Sequence, residues 1–599
     1  MLNEDSGILV RDGEASSTES ITNIPGLLLR QTSRKLDAFK FKRDGRWINV
    51  STDEFLLRAE ELFFALRALG VRPGDRVAII SENRLEWAIS DYAVLCAGAM
   101  TVPIYPTLSA SQIAGLLQNC EPVIVFVSTP ELLKKVFSEA TAPPVRHAVI
   151  FDGQVPGVIR LDALYEMGRQ STYDYPGEFR RTALEVGPDE IATIIYTSGT
   201  TGVPKGAMLT HRNLVSNVLA TSERLPLGAA DVSLSFLPLS HIFQRHVDYA
   251  TMQGGASIAY PETLGTVADD LITAGATFAA GVPRFFEKVY GRILAEVSET
   301  SGIVRRVFEK AVRVGKSHVL TGDTSLAYRT ADRLVFRKIR ERLGARLRFF
   351  ISGGAALDCE IAAFFWAIGL PIFEGYGLSE TSPVITLNGP GRTRLGTVGR
   401  PVGDQEIRIA GDGEILVRGS NVMRGYYQMP RETADALAGG WFHTGDIGEI
   451  DQDGFLKITD RKKNLIITSS GKNVAPQPIE NRLKLVPYFE NVVIVGNGRN
   501  FLSALIVPKY AALAAYAHKH KIEFTDVHEL TRKKEIYDLA MDEIASRTED
   551  LAPFEKIRKL AFLDEEFTID GGELTPTLKI RRSTIEKKYK TAIDQLYIV

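Results

Sequence analysis

Cysteine is scarce in this sequence. Cys96, Cys120 and Cys359 are its only three, far apart and odd in number. A disulfide framework is therefore not expected, and a reducing compartment is. No Cys/His cluster has zinc spacing. No apolar run is long enough to span a bilayer. An excess of one charge is also missing: 71 Lys and Arg stand against 73 Asp and Glu, a formal net charge of −2. Nothing here draws the chain to nucleic acid, and composition alone implies no pull towards anionic membrane. The polar, acidic start, residues 1–20, lacks the pattern of a secretory signal and reads as a loose tail. A cytoplasmic protein is expected.

What is present is ordinary for a globular protein, with 45% hydrophobic and 24% charged residues. At 599 residues the chain is too long for one core. From 21 to about 150, short apolar runs alternate with helical periodicity, as in Val77 to Ile80 followed by Leu85 to Ala97. The pattern continues past residue 190, and it predicts an α/β fold of mixed and parallel sheets flanked by helices. Residues 403–459 are rich in Gly and short alternating runs and read as a small β-rich subdomain. The composition turns abruptly charged at 460–463, where a domain boundary is placed. That gives an N-terminal domain over 21–459 and a small α+β C-terminal domain over 464–599. No internal repeat stands out.

Residues 196–213, YTSGTTGVPKGAMLTHRN, follow an apolar run that reads as a buried strand. Ser198, Thr200 and Thr201 lie among Gly199, Gly202 and Gly206, with Pro204 and Lys205 near the end. Glycines permit close backbone approach, and successive N–H groups can form an anion nest. Hydroxyls and a mobile ammonium complete the chemistry of a polyphosphate cradle. It is not the Walker pattern, because Gly-Lys-Ser/Thr is absent. The alternative is a flexible surface turn. Met208 to Asn213 reads as the entry to a helix.

Other segments carry paired readings. In GYGLSET, residues 375–381, a Tyr beside Gly either packs or lies flat on a purine, and a Glu beside hydroxyls can hold Mg²⁺. Asp446 after a Gly turn is turn chemistry or an acceptor for ribose hydroxyls. The run 460–463 is a solvated linker or a functional hinge. His241, beside apolar residues, is a satisfied structural group or a site residue. Lys579 is a snorkelling surface lysine or a reaching cation. Residues 303–348 hold 13 basic and 4 acidic side chains. They form a solvated helical face or a dock for anionic membrane, where each basic group is worth roughly 1 kcal/mol.

Taken together and in this order, these motifs resemble those of the adenylate-forming enzymes: acyl-CoA synthetases, luciferases and peptide-synthetase adenylation domains. The resemblance covers nearly the whole chain. Two tracts, RFFISGGAAL at 348–357 and DRKKNLIITSSGKNVAP at 460–476, make it most similar to long-chain fatty acyl-CoA synthetases. It implies an ATP site of Thr197, Ser198, Gly199, Thr200, Thr201, Gly202 and Lys205, with Gly353, Gly354, Ala355, Gly375 and Gly377. Tyr376 would stack on adenine, and Ser379, usually Thr in the family, would touch the α-phosphate. Glu380 and Thr201 would hold Mg²⁺, Asp446 the ribose, and Arg461 the nucleotide. Lys579 would be the main catalytic group, with Thr201 and His241 contributing. Asp460 would be the hinge, and Gly471, Lys472 and Asn473 would face coenzyme A. Arg245 stands where some bacterial relatives have a Trp gate to the fatty-acyl tunnel.

The implied activity is a fatty acid–CoA ligase that uses ATP, Mg²⁺ and CoA. An adenylate-only ligase would carry an inserted block near the hinge, and none is obvious. A ligase for medium-chain or aryl carboxylates is a second alternative. A peptide-synthetase module would continue into a carrier domain. A catalytically inactive nucleotide-binding partner protein would lack Glu380 or Lys579, and both are present.

Overall fold

Short apolar runs become the strands of two large sheets in the computed structural model. It describes residues 2–3, 8–9, 21–31, 34–138, 145–197, 204–322, 325–469, 471–568, 571–575 and 579–598. The first sheet has eight strands in the order Gly425–Tyr426, Lys205–Thr210, Ile191–Thr197, Met100–Ile104, Arg76–Ile80, Ile124–Val127, His147–Ile150, Ile159–Arg160. The second has nine: Arg400–Pro401, Val384–Leu387, Ile372–Gly377, Phe349–Ser352, Phe278–Gly281, Val232–Leu234, Ser257–Tyr260, Phe39–Arg43, Arg46–Val50. Their central strands pair in parallel. Val77 to Ile80 and Phe278 to Ala280 are fully buried, as parallel strands covered on both faces must be.

Helices cover these strands, and their starts follow from local chemistry. Ser51 accepts the Glu54 N–H to open Thr52–Ala68. Thr210 and Asn213 form a reciprocal capping box that opens His211–Arg224. That box corrects the expected helix entry at Met208. Residues 205–210 instead return antiparallel to Ile191–Thr197, and Met208 pairs with Gly425. The helix waits for its cap.

The chain divides into two compact units. One holds 1–409, 416–444 and 450–457; the other holds 410–415, 445–449 and 458–599. The second contains Phe489–Val495 antiparallel to Leu502–Pro508, with Ile557–Phe562 parallel beside it. Within residues 1–20, read as a loose tail, Ile8–Leu9 pairs with both Leu2–Asn3 and residues 407–408. Extended backbone there adds to a sheet edge. No described helix is long and apolar enough to cross a membrane.

A buried polar cluster ties the first unit together. Arg245, on the helix Ile242–Gln253, is 1% exposed. Its guanidinium forks onto the Asp91 carboxylate, with Nε at 3.0 Å. It also donates to the Tyr249 hydroxyl and the Thr193 hydroxyl, each at 2.7 Å. Thr193 in turn donates to the Thr101 carbonyl at 2.6 Å. Burial, with the Arg245 charge beside it, pushes His211 down to about 3, so its Nδ1 stays an acceptor for the Ile24 N–H. These contacts correct the reading of Arg245 as a tunnel gate. A gate must swing, and this side chain is spent on core partners.

Asp248, one turn along from Gln244, is also buried. It accepts from Gln244, Ser235 and Tyr260. Burial outweighs these donors and raises its carboxyl from 3.8 to about 7.

Two outcomes follow from this core. Replacing Arg245 with Met leaves Asp91 as an uncompensated buried charge and should cost about 3–5 kcal/mol. Thermal melting checks it; an unchanged midpoint would show the pair to be dispensable. Between the ordinary carboxylate value and about 7, the folded chain binds more of the Asp248 proton than the unfolded chain does. Stability therefore falls as pH rises through that window, by up to about 1.4 kcal/mol per pH unit. Asp248→Asn should flatten that fall in urea-unfolding midpoints, and an unaltered slope would contradict the assignment.

Candidate active site

The phosphate-loop residues sit on a strand return. Thr197 ends one strand and pairs across with Lys205, the first residue of the next. Ser198, Gly199, Thr200, Thr201 and Gly202 lie outside the described residues. Gly206 is held close under its neighbours: a Cβ there would stand 2.7 Å from Ile194 and 3.1 Å from the Tyr196 ring. The Lys205 ammonium lies 5.0 Å from the centre of the Tyr426 ring. The Tyr426 hydroxyl donates to Glu380 Oε1 at 2.9 Å. Tyr426 thus brings Lys205 and Glu380 into one neighbourhood. Sequence reading missed it, because nothing around residue 426 hints that its strand docks on 205–210.

Glycine also dictates the 375–381 segment. A Cβ on Gly377 would fall 1.7 Å from the Pro383 carbonyl oxygen, so no side chain fits. Tyr376 is half-buried on the strand Ile372–Gly377. Ser379 and Glu380 follow in a single helical turn, with Glu380 8% exposed. Thr381 locks that turn by accepting the Leu378 N–H at 3.0 Å and donating to the Pro383 carbonyl at 2.6 Å.

Gly353, Gly354 and Ala355 follow the adjacent parallel strand Phe349–Ser352. Gly354 has φ +83°, a conformation that favours glycine. Glu374, also missed from sequence, accepts the Leu357 N–H and so ties the 353–357 loop to the strand carrying Tyr376. Burial raises its carboxyl to about 8, leaving it protonated at neutral pH. His241 caps the helix Ile242–Gln253, its Nδ1 accepting the Phe243 N–H at 3.1 Å.

The second unit gathers another group. Asp446 is 3% exposed and lies 3.0 Å from Arg461 Nε. Beside it Glu414 accepts the Gly445 N–H at 2.9 Å and the Lys462 ammonium at 3.0 Å. Asp460 is buried, which raises its carboxyl. It accepts its neighbour's N–H at 2.6 Å and the Gln477 N–H at 3.1 Å. Gly471, at φ +77°, sits in a tight return where the Lys472 N–H donates to Thr468 Oγ1. Asn473 is exposed beside it. Lys579 closes a small hairpin: its N–H donates to Thr575 Oγ1 at 3.0 Å, and its carbonyl accepts the Thr575 N–H at 2.8 Å. Among the described residues no cluster of three or more His, Cys, Asp or Glu is arranged to hold a metal.

Comparison with known proteins places these residues in context. The family model described as AMP-binding enzyme matches residues 29–427. The model of the AMP-binding enzyme C-terminal domain matches 463–598. The chain is 37% identical to the long-chain-fatty-acid–CoA ligase FadD15 of Mycobacterium tuberculosis, covering 92% of this chain and 93% of that protein. It is 32% identical to human long-chain-fatty-acid–CoA ligase 1, covering 88% and 78% respectively. Among solved structures, the fold matches an anthranilate CoA ligase complexed with anthranoyl-AMP at 20% identity, with a TM-score of 0.70 over 96% of this chain and 98% of that one. It matches a Mycobacterium tuberculosis fatty acyl CoA synthetase at 22% identity, with a TM-score of 0.61 over 96% and 99%. Two family models over most of the chain, and relatives above 30% identity along nearly all of it, establish that this chain belongs to the AMP-binding, adenylate-forming enzymes and has their fold.

Proposed function

We propose that this chain is a long-chain fatty acid–CoA ligase that forms an acyl-adenylate and then a thioester. The observation that carries the reading is identity of 32–37% to long-chain-fatty-acid–CoA ligases along 88–92% of the chain. A carboxylate is a poor electrophile because its charge is delocalised. Attack on the α-phosphorus of ATP expels pyrophosphate and gives a mixed anhydride. Both reactants are anionic, so the site must neutralise charge.

In this reading Thr197, Lys205 and the loop between them hold the departing phosphates. Tyr376 stacks on adenine, Gly353 to Ala355 flank the nucleotide, and Ser379 donates to the α-phosphate. Asp446 accepts from the ribose hydroxyls while Arg461 contacts the nucleotide. Glu380 offers an anionic oxygen, oriented by Tyr426, of the kind a hard cation takes alongside phosphate oxygens. Mg²⁺ bound there would supply charge neutralisation at those oxygens. Lys579 neutralises both the attacking carboxylate and the α-phosphate. Asp460 serves as the hinge that exchanges Lys579 for the Gly471-Lys472-Asn473 turn. The CoA sulfur then attacks the acyl carbon, and AMP leaves. His241 borders the acyl and thiol passage.

The fatty acid substrate points to the partner surface. In 302–344 the helices expose Ile303 and Val304 beside Arg305, Arg306 and Lys310, and Leu326 is exposed on the following helix. Apolar side chains that enter a bilayer boundary beside basic groups that meet anionic headgroups fit peripheral membrane docking. This would place the enzyme at the source of its apolar substrate.

Pyrophosphate release from ATP and palmitate without CoA should drop about 10²–10³-fold in Lys579→Ala. An undiminished rate would remove Lys579 from the adenylation step. Sedimentation with phosphatidylglycerol vesicles should be lost when Arg305, Arg306 and Lys310 are all changed to Glu, while binding to neutral phosphatidylcholine stays low throughout. Unchanged sedimentation would end the docking reading.

A further inference from the structure

Lys579 can serve both carboxylate and phosphate only if its hairpin is held in place. The hairpin is short: Leu574 bridges Ile580, and the Arg581 N–H donates to the Glu573 carbonyl at 2.7 Å. Its incoming stem is pinned by Glu573, which is 1% exposed. That carboxylate accepts the Thr568 N–H at 3.2 Å and the Lys588 ammonium at 2.7 Å.

Its outgoing stem is pinned by Arg582, three residues past Lys579. The guanidinium donates to the Glu480 carboxylate and to the Ile494 carbonyl. Glu480 is 2% exposed, and its Oε1 also accepts the Ile494 N–H at 2.8 Å. Glu480 belongs to the helix Pro476–Leu483. The first turn of that helix is held by Asp460, which accepts the Gln477 N–H. One eight-residue helix therefore carries the contact to Asp460 at its start and the contact to Arg582 one turn later.

We infer that Glu480 and Arg582 are positioning residues for Lys579, with the helix Pro476–Leu483 a rigid strut that keeps the lysine hairpin in register with Asp460. The inference rests on the reading of Lys579 and Asp460 given above. A buried ion pair whose two members both also bond the Ile494 backbone suits this task, because losing either partner strands a charge and frees the stem. Displacing a catalytic group by about 1 Å can cost about 10²-fold in rate. The second step, thiol attack on a preformed adenylate, does not use Lys579 and should be spared.

The two half-reactions of the full-length enzyme separate these effects. Glu480→Gln keeps an acceptor for the Ile494 N–H but removes the charge. It should lower pyrophosphate release from ATP and palmitate without CoA by about 10²-fold, with ATP KM changed less than about twofold. Thioester formation from supplied palmitoyl-AMP and CoA should stay within about twofold of the parent. Arg582→Lys, which keeps the charge but loses the fork, should fall between parent and Glu480→Gln. Equal losses in both half-reactions would reduce the pair to general scaffolding and overturn the inference. Parent-like adenylation in Glu480→Gln, beside a Lys579→Ala control that is inactive, would overturn it too. If Lys579→Ala itself still forms the adenylate, the underlying reading of Lys579 fails whatever Glu480→Gln does.

Discussion

A charge sealed inside the larger unit sets much of its geometry. Arg245 cannot be buried alone, because an unpaired guanidinium in the core would cost several kcal/mol. Its partners must therefore arrive together: Asp91 from Leu85–Cys96, Tyr249 from its own helix, and Thr193 from the strand that leads to the phosphate loop. The same helix begins at His241. One ion pair thus fixes the strand before the phosphate loop relative to the helix whose N-terminus carries His241. Nearby His211 stays neutral chiefly because it is buried, and the Arg245 charge beside it works in the same direction.

Close backbone approach is the second constraint. Gly377 meets the Pro383 carbonyl where even a methyl group would collide, and Gly206 lies tight under Ile194 and Tyr196. These contacts bring Glu380 and Lys205 within reach of one tyrosine ring and its hydroxyl. Glycine here does more than relax the turn. It removes the volume that would hold the two segments apart.

Much of this was legible from the order of residues. Buried runs such as Val77 to Ile80 and Phe278 to Gly281 are strands because a parallel sheet needs apolar side chains on both faces. The family motifs were readable because their residue types suit phosphate chemistry. What escaped was set by long-range pairing. Met208 looked like a helix start until its pairing with Gly425 made it part of a strand. Arg245 is read as a gate from its position after His241, by resemblance, and its core partner Asp91 lies 154 positions away, outside any local pattern. Tyr426 and Glu374 carry no local signal at all; their meaning comes from the segments they join.

The same logic bears on how nucleotide would be held. Asp446 is nearly buried and already lies 3.0 Å from the Arg461 guanidinium. A bare carboxylate in that position would carry a desolvation cost that ribose hydroxyls, being neutral donors, could not offset. A paired carboxylate can still accept from hydroxyls while its charge stays balanced. In the proposed reading this pair contributes orientation more than affinity, fixing the ribose so that the α-phosphate is presented consistently. Net attraction for the triphosphate must then come from groups whose charge is not so matched. Lys205 rests against the face of a tyrosine ring, a weak partner for an ammonium beside a phosphate oxygen. In the proposed reading affinity and orientation thus fall to different side chains, so pyrophosphate can depart without loosening the AMP whose α-phosphate carries the acyl group.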